Sequence, residues 1–324
     1  MELEELEQMM KDARSPKEFF GRDAAKNLKK FLGICHPDRN PGDAKAVELF
    51  KKINDWYEEL ETPSVVIKSP KRGYTVLKHL TSGDVSDIYL AEAANKDYLL
   101  KISRIDDGEK YLEIEKNTVA DLLTKAGDST YSKYLPTFVE SFPAKDTIAK
   151  RVNVFTYDPG FYSLEQVKNQ YKDGVDGRDL AWMFNRILTG LGFIHKSGYV
   201  HGAVLPSHIL IHPESHGGRF CGFVHSVKIG EKVDTISVDY KSWYPKEVND
   251  KEKVGPASDI YMAAKCAERI MREDTPRKIK NFVYSCMLES PSMRPNDAWL
   301  LYEEFKDLLS DVYGKRKFHI FTMN

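Results

Sequence analysis

No run of eighteen apolar residues occurs in the 324-residue chain, so the sequence offers no helix able to span a membrane. Cysteine is scarce. The four thiols, at 35, 221, 266 and 286, show no paired spacing and read as buried thiols of a reducing compartment. Net charge is nearly absent, at −1, so no whole-molecule field points to nucleic acid or to a membrane as partner. The first residues carry Glu2, Glu4, Glu5 and Glu7, unlike a basic signal or transit segment, and the expected location is cytoplasmic. What is present, 41% hydrophobic and 30% charged, is the composition of a globular protein, and the length suggests about two domains.

Two apolar stripes at helical spacing stand out near the start. Ala24, Leu28, Phe31, Leu32 and Cys35 form the first, and Ala46, Phe50, Ile53, Tyr57 and Leu60 the second. Arg22, Lys26, Lys29 and Lys30 fall largely on the opposite side of the first helix. Pro37, Pro41 and Gly42 break the pattern between the stripes, and Asp43 is placed to cap the second helix. The simplest arrangement is an antiparallel helical hairpin whose loop holds His36 and Asp38 in water, with Pro37 fixing the backbone between them. Residues 1–14 are charged and helix-prone, and read as a degenerate first helix.

The basic helix, the tripeptide His36-Pro37-Asp38, the flanking Arg39-Asn40-Pro41-Gly42 and the helix containing Phe50-Lys51-Lys52-Ile53-Asn54-Asp55-Trp56-Tyr57 resemble the J domain of the DnaJ co-chaperone family. The family's usual first helix, with its tyrosine and Leu-Gly turn, is not apparent before Ser15. The resemblance implies that His36, Pro37, Asp38 and Arg39, with Arg22, Lys26, Lys29 and Lys30, dock on a DnaK-type chaperone and stimulate its ATP hydrolysis. Such a charged face speeds encounter and orients the partner more than it adds affinity, so the binding is expected to be weak and salt-sensitive.

Glu61-Thr62-Pro63-Ser64 ends the hairpin, Ser69-Pro70-Lys71-Arg72-Gly73 makes a second break, and Val65-Val66-Ile67 reads as a lone strand. The expected division is a J-like domain at 1–62, a linker at 63–72, a second domain at 73–314 and a C-terminal tail at 315–324. From Tyr74 the texture is strand-like: Tyr74–Leu77, Ile88–Ala91, Tyr98–Ile102, then a helix over Leu112–Leu123, then strands at Phe138–Phe142 and Asn153–Tyr157. After Asp158-Pro159-Gly160 the chain is mostly helical, with helices expected at Leu164–Tyr171, Gly177–Ser197, Asp259–Glu273, Pro276–Glu289 and Asn296–Val312.

A β-rich lobe (73–158) followed by a helical lobe (159–314) resembles the protein kinase fold, and a series of motifs supports the likeness. Leu80–Tyr89 is similar to the glycine-rich loop but keeps only Gly83. Lys101 stands at the phosphate-binding lysine and Glu115 at the helix glutamate that pairs with it. Gly198–Ile211 resembles the catalytic loop, with Ala203 at the aspartate and His208 at the metal-binding asparagine. Phe220–Val224 resembles the magnesium-binding segment, with Gly222 at its aspartate. Glu247, Asp259 and Arg294 match the fold's structural residues, Arg294 pairing with Glu247. The fold class is thus expected to be α+β, a helical hairpin followed by a bilobal kinase-like domain.

Phosphoryl transfer uses metal ions and an aspartate that orients the attacking hydroxyl. Alanine at 203 offers no proton acceptor, worth on the order of 10²–10⁴ in rate. Gly222 and His208 supply none of the oxygens that magnesium takes. The resemblance therefore implies a pseudokinase, not an enzyme, with no cofactor expected. The Lys101–Glu115 pair reads as structural rather than ATP-binding, since Thr81 and Ser86 replace glycines and Asp84 and Asp87 would repel a polyphosphate. His201, His208, His212, His216 and His225 cluster in sequence, yet no cysteine pair joins them and no metal site is expected. Lys315–Phe321 reads as a docked tail. On this reading the chain is a J-domain co-chaperone whose second domain binds an unidentified client or partner protein. Two rivals stay open: a nucleotide-dependent transferase on the kinase fold, and a decoy that binds the chaperone without stimulating it.

Overall fold

A computed structural model describes residues 1–61, 65–144, 150–315 and 317–323; the expected break at Thr62, Pro63 and Ser64 lies outside them. The contacts divide the chain into two units, Met1–Lys78 with Ala91–Asn95, and His79–Leu90 with Lys96–Asn324.

The first unit opens with four helices: α1 (Leu3–Asp12), α2 (Pro16–Phe20), α3 (Ala24–Cys35) and α4 (Ala44–Glu61). The charged opening segment is a full helix that turns Leu6 and Met10 inward, onto Phe19, Phe20, Phe31, Cys35, Leu49 and Ile53. Its inward stripe is only two buried residues long, too short to stand out by periodicity. Ser15 caps α2 by accepting from the Glu18 amide at 3.3 Å, with Pro16 at the first helical position. That turn aims Phe19 at Phe20, Phe31 and Trp56, with ring centroids 4.9–5.5 Å apart. The hairpin is therefore closed by α1 and α2 rather than standing alone. In the same unit β1 (Val66–Lys68) pairs antiparallel with β2 (Gly73–Ser82), Val66 opposite Thr75, so this strand is not a lone one.

The second unit carries a curled antiparallel sheet in the order β2-β3-β4-β6-β5, taking β2 from His79 and β3 (Ser86–Ala93) as far as Leu90, with β4 at Lys96–Ser103, β5 at Phe138–Ala144 and β6 at Lys150–Thr156. Helix α5 (Gly108–Ala126) turns Leu112, Glu115, Val119 and Leu122 inward. Beyond residue 158 come β7 (Tyr162–Ser163), α6 (Leu164–Gln170), α7 (Gly177–Lys196), β8 (Tyr199–Val200), β9 (Ile209–His212), β10 (Gly217–Phe220), β11 (Val227–Lys228), α8 (Lys246–Asn249), α9 (Pro256–Ile270), α10 (Arg277–Ser285) and α11 (Ala298–Tyr313). Helix α7 is buried nearly all round, as expected of a helix at the centre of a lobe. Gly192 lets α11 approach it: a β-carbon there would lie 2.2 Å from the Trp299 ring. The architecture is α+β with a kinase-like bilobal second part. Among the described residues no helix is long and apolar enough to cross a membrane.

Candidate functional sites

The first site is the corner between α3 and α4. His36 ends α3 with extended backbone, and its side chain is 44% exposed; Asp38 is 89% exposed. The ring is not free to swing. Its edge packs on Phe50 at 5.5 Å and 90°, and its Nδ1 accepts from the Asp38 amide at 3.1 Å. The next two side chains finish the helix: Arg39 donates to the Gly33 carbonyl at 3.0 Å, and Asn40 to those of Ile34 and His36 at 2.8 and 3.1 Å. These bonds satisfy carbonyls that a helix end leaves unpaired. Arg39 thus fastens the corner as well as presenting charge. Lys26, Lys29 and Lys30 are exposed on α3, and Arg22 is exposed just before the helix begins. Asp43 caps α4 through the Lys45 and Ala46 amides at 2.9 and 3.4 Å.

The second site lies within the second unit. Lys101 on β4 donates to Glu115 on α5 at 2.7 Å, and both side chains are buried. Sheet register sets Asn153 of β6 directly opposite Lys101. From there its amide donates to the other Glu115 oxygen at 3.2 Å and to the Leu112 carbonyl at 2.8 Å. Asn153 carries no motif of its own, so only the register reveals it. The β2–β3 turn holds Gly83, and Asp84 there accepts from the Val238 amide at 3.1 Å. Asp234 takes the Tyr111 hydroxyl at 3.1 Å and pairs with Lys110. Residues 234–238 are thereby tied to both the turn and α5, a linkage that no local motif announces.

Asp259, fully buried in the first turn of α9, accepts from the amides of His201 and Gly202 at 2.7 and 3.0 Å and bonds His195 Nε2 at 3.0 Å. This fixes the loop that carries Ala203. His201 Nδ1 accepts from the Ala203 amide at 3.3 Å, which leaves Nε2 to donate to the Cys221 carbonyl at 3.0 Å. Both bonds belong to the neutral ring, and burial pushes its pKa down to about 4. Burial does the same to His225, again to about 4, while its Nδ1 bonds the Thr235 carbonyl at 2.9 Å. Burial, then the neighbouring His225, holds His208 well below the usual range. Burial raises the Cys221 thiol to about 11. Glu247 and Arg294 form a bidentate pair at 2.9 Å across both bonds.

His208 and Gly222 are one coupled feature. The imidazole bonds the Ala203 carbonyl at 2.9 Å and lies against Gly222, where a β-carbon would sit 2.6 Å from Nδ1. Gly222 also has φ +83°, a region open to glycine and tolerated by aspartate. We expect Gly222→Asp to cost about 2 kcal/mol, the scale of overpacking a filled core, but under about 1 kcal/mol in a His208→Asn background. A double-mutant cycle by urea unfolding should show a coupling of about 1 kcal/mol or more. Equal costs in both backgrounds would refute the steric link.

The five clustered histidines do not converge. His201, His208 and His225 share this site, while His212 packs on Phe161 at 5.2 Å and His216 stacks on Trp182 at 4.2 Å. Among the described residues the group with metal-ligand spacing is Asp176, Asp179 and His319, none of them singled out by the sequence.

No protein-family model matches the chain. Over 162 residues it is 26% identical to a protein of Thermomonospora curvata named "Probable serine/threonine-protein kinase PkwA", which is 42% of this chain and 22% of that protein. Over 61 residues it is 41% identical to the chaperone protein DnaJ of Anaplasma marginale, 19% of this chain and 15% of that protein. The chain therefore spans less than a quarter of the length of either relative. The BubR1 kinase domain superposes with a TM-score of 0.60 at 12% identity, covering 84% of this chain and 95% of that domain. The fold is kinase-like. A DnaJ-like segment accompanies it, of a length that matches the α1–α4 region.

These findings correct the expectation that the chain is not an enzyme. The relative matched over 162 residues is named as a kinase and the superposed domain is a kinase domain, so they point to a protein kinase fold and nothing in them shows inactivity. The physical reason is one of scale. Losing a general base divides an enzymatic acceleration of about 10⁶–10¹⁷ by a factor on the order of 10²–10⁴, which lowers a rate without abolishing it. The magnesium that phosphoryl transfer ordinarily uses does not fit positions 208 and 222, where an imidazole and a bare glycine supply no oxygen ligand.

Proposed function

We propose that the chain is a J-domain co-chaperone that docks on a DnaK-type chaperone and stimulates its ATP hydrolysis, with the kinase-like part holding a client or partner protein. The His36-Pro37-Asp38 corner, with Asp38 exposed, His36 and Pro37 half-buried and Arg39 and Asn40 fastening it, carries this reading together with the 61-residue likeness to DnaJ. The exposed Arg22, Lys26, Lys29 and Lys30 supply the steering charge. Tethering raises the local concentration of client beside the chaperone without tight binding at either end. In a steady-state ATPase assay of a DnaK-type chaperone, wild type should stimulate and His36→Gln should not. Binding without stimulation by wild type would instead identify a decoy.

A second reading, nucleotide-dependent group transfer, is favoured by one observation: Glu115 is held by both Lys101 and Asn153, so the lysine is set for a phosphate. A thermal shift with ATP and a labelled-phosphate transfer signal, both lost on Lys101→Ala, would support it.

A further inference from the structure

Lys317–Met323 forms no regular element, yet Phe321 is only 5% exposed and belongs to the core of the second unit. The chain leaves α11 through Gly314, at φ +73°, and its last described residues meet α6 and the start of α7. His319 Nδ1 lies 2.8 Å from Asp179 Oδ1, which also accepts the Trp182 indole N–H at 3.2 Å. The Phe321 ring meets Tyr171 at 5.1 Å and Trp182 at 6.0 Å. The Thr322 carbonyl accepts from the Tyr171 hydroxyl at 2.7 Å and from Gln170 at 3.3 Å. Phe318 stacks on His216 at 4.2 Å, and His216 on Trp182 at the same distance.

This is more than a loose segment resting on a core. The inward residues alternate with outward ones: Ile320 is 79% exposed between His319 and Phe321, and Phe318, though stacked on His216, is 65% exposed. Asp179 is a buried carboxylate, 4% exposed, and among the described residues its ion-pair partner is His319. Two further donors, Tyr171 and Gln170, are aimed at a main-chain carbonyl. Pockets for alternate side chains combined with main-chain bonds are how proteins read extended peptides.

We propose that Gln170, Tyr171, Asp179, Trp182 and His216 form a peptide-docking groove on the kinase-like part. Its ligand is an extended segment of a partner protein reading imidazole or cation, any residue, aromatic. The chain's own Phe318-His319-Ile320-Phe321 occupies the groove in cis as a plug. A tethered occupant competes at an effective concentration of about millimolar, so a partner gains entry only by binding more tightly or by several contacts at once. The groove is separate from the α3–α4 corner, and its test reads peptide binding rather than ATPase stimulation.

The experiment titrates a fluorescein-labelled peptide of residues 317–323 against full-length wild type and His319→Ala/Phe321→Ala, followed by anisotropy. The opened variant should bind with saturation at one peptide per chain, roughly 100-fold more tightly than wild type. Adding Asp179→Asn, or replacing the second phenylalanine of the peptide by alanine, should remove the binding. If the double variant does not fold, His319→Ala alone, which keeps Phe321 in the core, should give the same ordering at roughly 10-fold. A folded variant with no saturable binding at about 1 mM peptide overturns the proposal, as does binding indifferent to Asp179→Asn. A wild-type chain that dimerises by exchanging this segment overturns it too.

Discussion

Lowering the pH from 7 to about 4 is expected to cost the second unit on the order of 6 kcal/mol of stability. His201 and His225 are each held by burial at about 4, against an ordinary 6.5. Between those values the unfolded chain takes up protons on both rings while the folded chain does not. Stability therefore rises with pH across that window: it is fully present above about 6.5 and is lost as the pH falls toward 4. A gap of about 2.5 pH units is worth about 3 kcal/mol for each ring, against a total of about 5–15 kcal/mol for a typical domain. His208 is shifted the same way. Asp179, pushed up by burial, works against the trend, because its folded form gains protons first. Urea unfolding followed by far-ultraviolet circular dichroism at several pH values measures the slope, and His225→Gln should make it shallower. A midpoint flat between pH 7 and 4.5 would mean that these rings are not buried neutral imidazoles. The outcome also bears on the site, since His225 holds the Thr235 carbonyl and His201 holds the loop that carries Ala203.

What was legible in the sequence follows the range of each interaction. Helices α3, α4, α7 and α11 carry long apolar stripes, and the kinase-like order of strands and helices is readable from local motifs. Helix α1 is not, because only Leu6 and Met10 are buried and charged residues make up half of the helix. Lys101, Glu115, Glu247 and Arg294 are readable because a known pattern marks them. Asn153 has no such mark, and its role depends on a strand register that sequence does not set by itself. The Asp179–His319 contact joins residues 140 positions apart through a segment with no periodicity. The fit of His208 over Gly222 is likewise invisible, since each looks like a separate loss from a pattern. Taken as losses, they suggested an inert domain; seen together, they are one packing solution.

Arg294→Ala is expected to destabilise the second unit by about 3–5 kcal/mol, the usual cost of stripping one partner from a buried ion pair. The guanidinium has no exposed side-chain surface and meets both oxygens of Glu247, itself 4% exposed. It also donates to the carbonyls of Ala257 at 3.2 Å and Glu289 at 2.9 Å, and lies 5.0 Å from the Tyr261 ring centroid. Alanine would leave Glu247 with the Ser258 hydroxyl, at 2.8 Å, as its remaining side-chain donor among the described residues, and would take one donor from each of the Ala257 and Glu289 carbonyls. Burial pushes the Glu247 pKa up, but the bonds from Arg294 and Ser258 outweigh it and the net effect is downward. Without Arg294 the burial effect prevails, the carboxyl protonates at higher pH, and the variant should lose less stability than wild type on acidification. Lysine cannot form the two-pronged pair, so Arg294→Lys should recover only part of the loss. Glu247→Leu/Arg294→Met removes both charges at once and should cost less than Arg294→Ala alone. Urea midpoints of the three variants decide the matter: a double variant worse than the single one would show that the pair is a net source of stability rather than a charge that needs company.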